Sequence, residues 1–126
     1  MQMRKARQNT TSDCKESVFM SKLQELDAEG FRQAITQQRE TALVCFMSDW
    51  SAPCREMMGA VEAAADHFYG TVAFYIVDPD NAPLAAAEHS VASIPTLIFF
   101  ERGEERDRMV GVRKCEDLEK MIQKVL

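Results

Sequence analysis

The sequence contains no hydrophobic run of the length that crosses a bilayer, which is about 20 apolar residues. Its N-terminus is basic, but the apolar segment of a secretory signal does not follow it. Lys and Arg total 15 against 20 Asp and Glu, giving a net charge of −5. A nucleic-acid surface needs clustered basic residues. We therefore expect neither a membrane nor a nucleic acid among the partners.

Cysteine and histidine are few and scattered. The four cysteines are Cys14, Cys45, Cys54 and Cys115. Because they lack the spacing of a disulfide framework, we expect all four to be reduced thiols. His67 and His89 stand apart from them, and no Cys/His group has zinc spacing. We expect no metal and no cofactor, and the sequence assigns no role to Cys14 or Cys115.

The 126 residues suit one domain, and with 46% hydrophobic residues the chain can bury a core. Residues 1–19 lack apolar periodicity and carry a charge of +2, which leaves −7 on the remainder. We expect a disordered tail over 1–19 and a single domain over 20–126. The expected location is cytoplasmic, and an organellar address in the Arg/Ser/Thr-containing tail is the alternative.

Hydrophobic patterning predicts strands alternating with helices. Strands are predicted at 22–26, 42–47, 72–77, 96–100 and 106–110, and helices at 27–38, 53–70, 82–88 and 116–126. The apolar runs at 42–47 and 72–77 are typical of strands buried on both faces. The order βαβαβαββα indicates an α/β fold with a parallel layer and an antiparallel hairpin, connected by a turn over 101–104, at one edge.

The segment Trp50-Ser51-Ala52-Pro53-Cys54 follows a hydrophobic strand and opens a predicted helix. It resembles the thioredoxin family, whose motif at this place is Trp-Cys-Gly-Pro-Cys. Further matches follow in order at Val77-Asp78, Ile94-Pro95-Thr96, Gly103 and Gly111. The resemblance covers residues 20–126. It implies the thioredoxin fold, a central mixed sheet of about five strands flanked by about four helices.

The resemblance also implies roles for the motif residues. In the family the first cysteine attacks a substrate disulfide and the second resolves the mixed disulfide. Ser51 stands at the attacking position and Cys54 at the resolving one. A serine hydroxyl forms no thiolate near neutral pH, so that first step cannot occur at Ser51. The implied function is that of a thiol-disulfide oxidoreductase-like protein with a single-cysteine motif and impaired dithiol exchange.

A substrate groove is implied as well. It would hold a protein or peptide in extended conformation, with a thioredoxin-reductase-like protein as the electron donor. Its residues are Trp50, Ala52, Pro53, Ile94, Pro95 and Gly111. The match at Ile94-Pro95 predicts a cis peptide bond there. The alternative function is a redox-silent adaptor or chaperone-like module that keeps this groove and docks a peptide by edge pairing.

Three residues behind the motif depart from the family. Cys45 replaces its buried acid, Phe74 replaces the lysine that partners the acid, and Met47 replaces a tryptophan. Because an engineered Cys→Ser change would not explain Cys45 or Phe74, natural divergence is the favoured origin of Ser51.

The motif residues also have purely structural interpretations. Ser51 suits a helix N-cap, and Cys54 is either functional or an inert buried thiol. For Cys45 the default is core packing, and the alternative is a secondary thiol neighbouring Cys54. We expect the single tryptophan, Trp50, to be an exposed contact residue.

Overall fold

A computed structural model describes residues 23–126. The tail predicted over 1–19 and the domain start predicted at residue 20 lie outside the described residues. In the part that is described, no helix is both long enough and apolar enough to cross a membrane.

Nine elements follow one another in the predicted order. The strands are β1 (Leu23–Leu26), β2 (Ala42–Phe46), β3 (Ala73–Val77), β4 (Thr96–Glu101) and β5 (Glu104–Val110). The helices are α1 (Ala28–Phe31, continued over Arg32–Gln37), α2 (Ala52–His67), α3 (Pro83–Glu88) and α4 (Cys115–Val125). Asp27 caps α1 by accepting a hydrogen bond from the Gly30 amide at 2.7 Å, as a side-chain N-cap does.

The five strands form one mixed sheet in the order β1-β3-β2-β4-β5. β3 pairs in parallel with both β1 and β2, whereas β4 pairs antiparallel with β2 and with β5. The predicted α/β fold, with a five-stranded mixed sheet and four helices, is confirmed. β2 lies at the centre and all five of its residues are buried, which explains its unbroken apolar run.

The two faces of the sheet each bury a separate hydrophobic cluster. Cys45 points to the face covered by α2 and α4, together with Leu43, Phe99 and Leu118. Its neighbour Phe46 points to the opposite face, since successive side chains of a strand alternate. The face covered by α1 and α3 has a core made of the residues Phe31, Ile35, Val44, Phe46, Val77, Ala85, Ile98 and Phe100.

Two local predictions need correction. The predicted turn over 101–104 is shorter, because Glu101 pairs with Glu104 and only Arg102 and Gly103 remain in the loop. Both loop residues have positive φ, 55° and 83°, as a two-residue hairpin turn of type I′ requires. The first predicted helix is not α-helical throughout, since Arg32–Gln37 is π-helical.

Candidate functional site

Ser51 is the residue at which the loop after β2 turns into α2. Its backbone is extended, with φ −89° and ψ 121°, and its hydroxyl oxygen accepts a hydrogen bond from the Cys54 amide at 3.3 Å. Pro53 lies in the first turn of the helix, where a missing N–H costs nothing. The predicted capping role of Ser51 is therefore confirmed.

The exposed residues of the motif are apolar, and its serine and cysteine are buried. Ser51 is 5% exposed and Cys54 only 1%. Trp50 is 67% exposed, and Ala52 and Pro53 are also exposed. The indole and the start of α2 therefore lie at the surface, and the Cys54 thiol lies beneath them in the core.

Two side-chain hydrogen bonds tie the motif loop to the loop after β3. The Trp50 indole Nε1 donates to Asp80 Oδ2 at 2.8 Å, and the Ser48 hydroxyl donates to Asp78 Oδ1 at 2.7 Å. The Asp80 amide donates to that same Asp78 oxygen at 2.9 Å. These bonds fix the orientation of the indole at the surface.

The sequence interpretation did not include Ser48, Asp78 or Asp80 among the site residues. A signal for them was present. Asp78 and Asp80 follow β3, the motif follows β2, and β2 and β3 are parallel neighbours. The carboxyl ends of parallel neighbours meet at one edge of a sheet, where binding sites collect.

The second loop of the site contains the cis peptide bond Ile94–Pro95, in the place where the resemblance implied one. Register places it beside the motif, because Thr96 pairs with Phe46 near the end of β2. The Gly111 amide donates to the Pro95 carbonyl oxygen at 2.8 Å, and Gly111 has φ +94°. This φ suits glycine because it has no Cβ. The exposed side chains of Val110 and Val112 flank Gly111.

The core behind the motif is apolar. Cys45 is fully buried, and burial raises the pKa of its thiol far above the usual range. Phe74 is 3% exposed and Met47 is 2% exposed, and both share one hydrophobic cluster with Cys45 and Cys54. A thiol and a phenyl ring thus occupy the places where the resemblance implied a buried acid and a lysine.

The cysteines differ in oxidation state. Cys45 and Cys54 are free thiols, so no disulfide joins them in this structure. Cys115 is disulfide-bonded, and the expectation of a reduced thiol is wrong for this residue. Within residues 23–126, no three or more His, Cys, Asp or Glu side chains form a group suited to a metal ion.

Comparison with solved structures identifies the fold. A mutant thioredoxin from Halobacterium salinarum superposes with a TM-score of 0.72 over 81% of this chain and 88% of that one, at 24% identity. The molecule therefore has the thioredoxin fold. The family model described as Thioredoxin matches residues 22–124, and the chain belongs to the thioredoxin family.

Curated relatives agree with this assignment. A thioredoxin of Porphyra purpurea is 33% identical over 85% of this chain and 99% of its own length. A thioredoxin of Chlamydia trachomatis is 35% identical over 81% of this chain and 97% of its own length. The chloroplastic thioredoxin M-type of spinach is 26% identical over 90% of this chain, which spans 62% of the spinach protein. The chloroplastic thioredoxin M4 of Arabidopsis thaliana is 37% identical over 67% of this chain, which spans 44% of the length of that protein.

Proposed function

We propose that this protein is a thiol-disulfide oxidoreductase-like member of its family whose single-cysteine motif leaves dithiol exchange impaired. One observation carries the proposal: the Ser51 oxygen stands at the attacking position and is engaged as the cap of α2. An oxygen at this place has no thiolate to offer to a disulfide. Cys54, the remaining motif thiol, is 1% exposed.

The core behind the motif supports the same proposal. Proton transfer to and from a resolving thiol needs a titratable group nearby. Phe74 does not titrate, and burial holds the Cys45 thiol in its neutral form because the pKa is raised. Restoring the attacking sulfur alone would therefore leave exchange without proton management.

Insulin reduction by dithiothreitol tests this proposal. The wild-type chain should give no rate above the dithiothreitol background, because no attacking thiolate is present. Ser51→Cys should raise the rate above background but keep it low, because the attacking sulfur is restored while Cys45 and Phe74 still offer no proton transfer. Ser51→Cys with Cys54→Ser is the matched control that again lacks a dithiol. A wild-type rate clearly above background would contradict the proposal.

The adaptor function is the second candidate, and the surface around the motif favours it. Trp50 is exposed and held by Asp80, and Val112, 39% exposed, follows Gly111 on the cis-proline side. Such an apolar surface beside a cis-proline loop suits an extended segment that binds by backbone pairing. Binding of a peptide that contains no cysteine discriminates this function from exchange, which requires a disulfide.

We propose the same peptide groove for both functions. It comprises Trp50, Ala52, Pro53, Ile94, Pro95 and Gly111, with Cys54 and Ser51 at the reaction position. The proposed partners are an extended protein or peptide and a thioredoxin-reductase-like electron donor. The cytoplasmic location also remains a prediction, and the chloroplastic names of two relatives leave the organellar alternative open.

We propose that Cys45 is a secondary thiol that reacts only slowly. It shares a hydrophobic cluster with Cys54, so oxidation by a peroxide could join the two sulfurs as one disulfide, with the peroxide reduced to water. Because burial disfavours the Cys45 thiolate, such a step would be slow and would suit oxidation sensing rather than turnover.

A further inference from the structure

A cleft of about 310 Å³ lies on the β3 side of the motif loop and is not used by the proposed groove. It is bounded by β1, β3, the motif loop and the first two turns of α2. Its lining residues are Glu25, Met47, Ser48, Asp49, Arg55, Met58, Ile76 and Asp78. Because Ser48 and Asp49 directly precede Trp50, a partner segment that contacts the motif passes close to this cleft.

The apolar part of the lining consists of two methionines and an isoleucine. Met47 is buried, and Met58 and Ile76 are half-buried. Thioether side chains contact methylene or planar groups well, and the half-buried Met58 can adjust to an inserted group. This lining favours a ligand with an apolar stem over a small hydrated ion.

The polar lining is predominantly acidic. Glu25, Asp49 and Asp78 supply three carboxylates, whereas Arg55 supplies one guanidinium, and it donates to the Asp49 backbone oxygen at 2.9 Å. Within residues 23–126 none of these three carboxylates forms a salt bridge with a basic side chain. Asp78 accepts hydrogen bonds from Ser48 and the Asp80 amide through Oδ1. The cleft therefore has an excess of negative charge and free acceptor atoms.

We propose that the cleft binds an arginine side chain of the protein partner, which gives the protein a preference for a basic residue beside the contacted segment. Arginine combines the two required features, an apolar stem for the methionines and a planar guanidinium with several donors for the carboxylates. The proposal rests on the proposed function, because it assumes that a protein segment docks at the motif.

A matched pair of small probes tests the charge requirement on the full chain. N-ethylguanidinium mimics the end of an arginine side chain, and N-ethylurea has the same shape without the charge. The guanidinium should shift the Met47 and Met58 methyl signals and the Ser48 and Asp49 amide signals in a saturable titration followed by NMR. The urea should leave them unshifted. Equal shifts from both probes, or guanidinium shifts confined to other residues, would overturn the proposal.

Charge variants then locate the site. Asp49→Asn and Glu25→Gln should each raise the dissociation constant for N-ethylguanidinium about two- to fivefold, as expected for an exposed charge pair. Glu56→Gln is the control, because Glu56 is exposed on α2 close to Arg55 but does not line the cleft. If Glu56→Gln raised the dissociation constant as much as Asp49→Asn, only the overall negative charge of the protein would attract the probe. The proposed binding site in the cleft would then be refuted.

A filling variant separates this proposal from the function on which it rests. Met58→Trp adds volume at the half-buried rim and should abolish N-ethylguanidinium binding. Circular dichroism shows whether that variant is folded, and the two charge variants carry the test if it is not. Insulin reduction by Ser51→Cys does not require the cleft. A wild-type protein that gives no insulin reduction above background and does not bind N-ethylguanidinium refutes the cleft alone, whereas guanidinium binding with high wild-type reductase activity refutes the exchange proposal alone.

Discussion

At residue 51 one atom, an oxygen in place of a sulfur, has both a structural and a chemical effect. The Ser51 hydroxyl accepts the Cys54 amide hydrogen bond that begins α2, and serine is among the preferred residues for this position. The same hydroxyl cannot supply the thiolate that attacks a disulfide. The residue therefore retains the architecture of the motif, and under the proposed function it removes the first chemical step.

Ser51→Ala should lower the free energy of unfolding by about 1 kcal/mol, because it removes the side-chain cap of α2. Urea denaturation followed by circular dichroism measures this change. Ser93→Ala is the control, since Ser93 is exposed and contributes only its backbone oxygen to a hydrogen bond. If both variants lose the same small amount, the Ser51 cap does not contribute to stability.

At the scale of elements, sequence patterns predicted the strands and helices that bury most of their residues. β2 and β4 have long buried runs, so composition alone marks them. β5 lies at the sheet edge, and five of its seven residues are charged. The predicted strand therefore began two residues late, at residue 106, because the first two residues of β5 show no apolar pattern. The π-helical segment, in which the Gln38 amide donates to the Gln33 carbonyl oxygen, was not predicted. The buried residues of α1, Phe31, Ala34 and Ile35, have the i, i+3, i+4 spacing that is also typical of an α-helix.

The candidate site was predictable where it depends on one segment and not where two loops meet. Ser51, Cys54 and Trp50 lie within five residues, and the motif itself indicates them. The Trp50–Asp80 and Ser48–Asp78 hydrogen bonds each join residues 30 positions apart. Their existence depends on β2 and β3 being parallel neighbours, which requires the sheet order as well as the strand positions.

Asp80→Ala should release the Trp50 indole and weaken the proposed peptide binding at the motif surface. Trp50 is the only tryptophan, so fluorescence anisotropy reports its mobility directly, and the anisotropy should fall. Affinity for a cysteine-free extended peptide should fall about two- to tenfold, the range of one exposed hydrogen bond of about 0.5–1.5 kcal/mol. Asp80→Asn keeps an acceptor oxygen and should restore most of both properties. Unchanged anisotropy in Asp80→Ala would show that Asp80 does not hold the indole.

The free energy of unfolding should depend on pH through His89, which follows the last residue of α3 and packs against α1 and β4. The imidazole lies edge-on against Phe31 and Phe100, with ring centroids 5.3 and 5.2 Å away. Burial lowers its pKa below 6.5, and Arg108 adds to this, against the opposing effects of Glu105 and Glu88. The unfolded chain therefore takes up a proton before the folded protein does as the pH falls.

The free energy of unfolding should accordingly decrease as the pH drops through 6.5 towards the lower pKa of the folded state. His89→Phe keeps an aromatic ring but does not titrate, so its decrease between pH 7.5 and pH 5 should be smaller. Urea denaturation of both proteins across this range makes the comparison, in which the other titrating groups are shared. Parallel curves for the two proteins would show that His89 carries no such linkage.

At the scale of the whole molecule, the proposed reaction position and the core form one unit. α2 brings Cys54 into the hydrophobic cluster that also contains Cys45, Met47 and Phe74. Met47 and Phe74 are apolar, and burial holds the Cys45 thiol neutral by raising its pKa, which favours tight packing. A buried acid at residue 45 would serve proton transfer but would have to be desolvated within this cluster. Stability and exchange chemistry therefore make opposite demands on residue 45.

Cys45→Asp in the Ser51→Cys background should show this opposition in two measurements. The free energy of unfolding at pH 7 should fall by about 2–5 kcal/mol, because an unpaired ionisable group enters a fully apolar site. Insulin reduction per folded molecule should nevertheless rise above that of Ser51→Cys alone, since the carboxyl can exchange protons with Cys54. Cys45→Ser in the same background is the control, because a hydroxyl is polar but cannot take up a proton near neutral pH. An equal rate in the Asp and Ser variants would mean that the core does not limit exchange and that the proposed impairment comes from Ser51 alone.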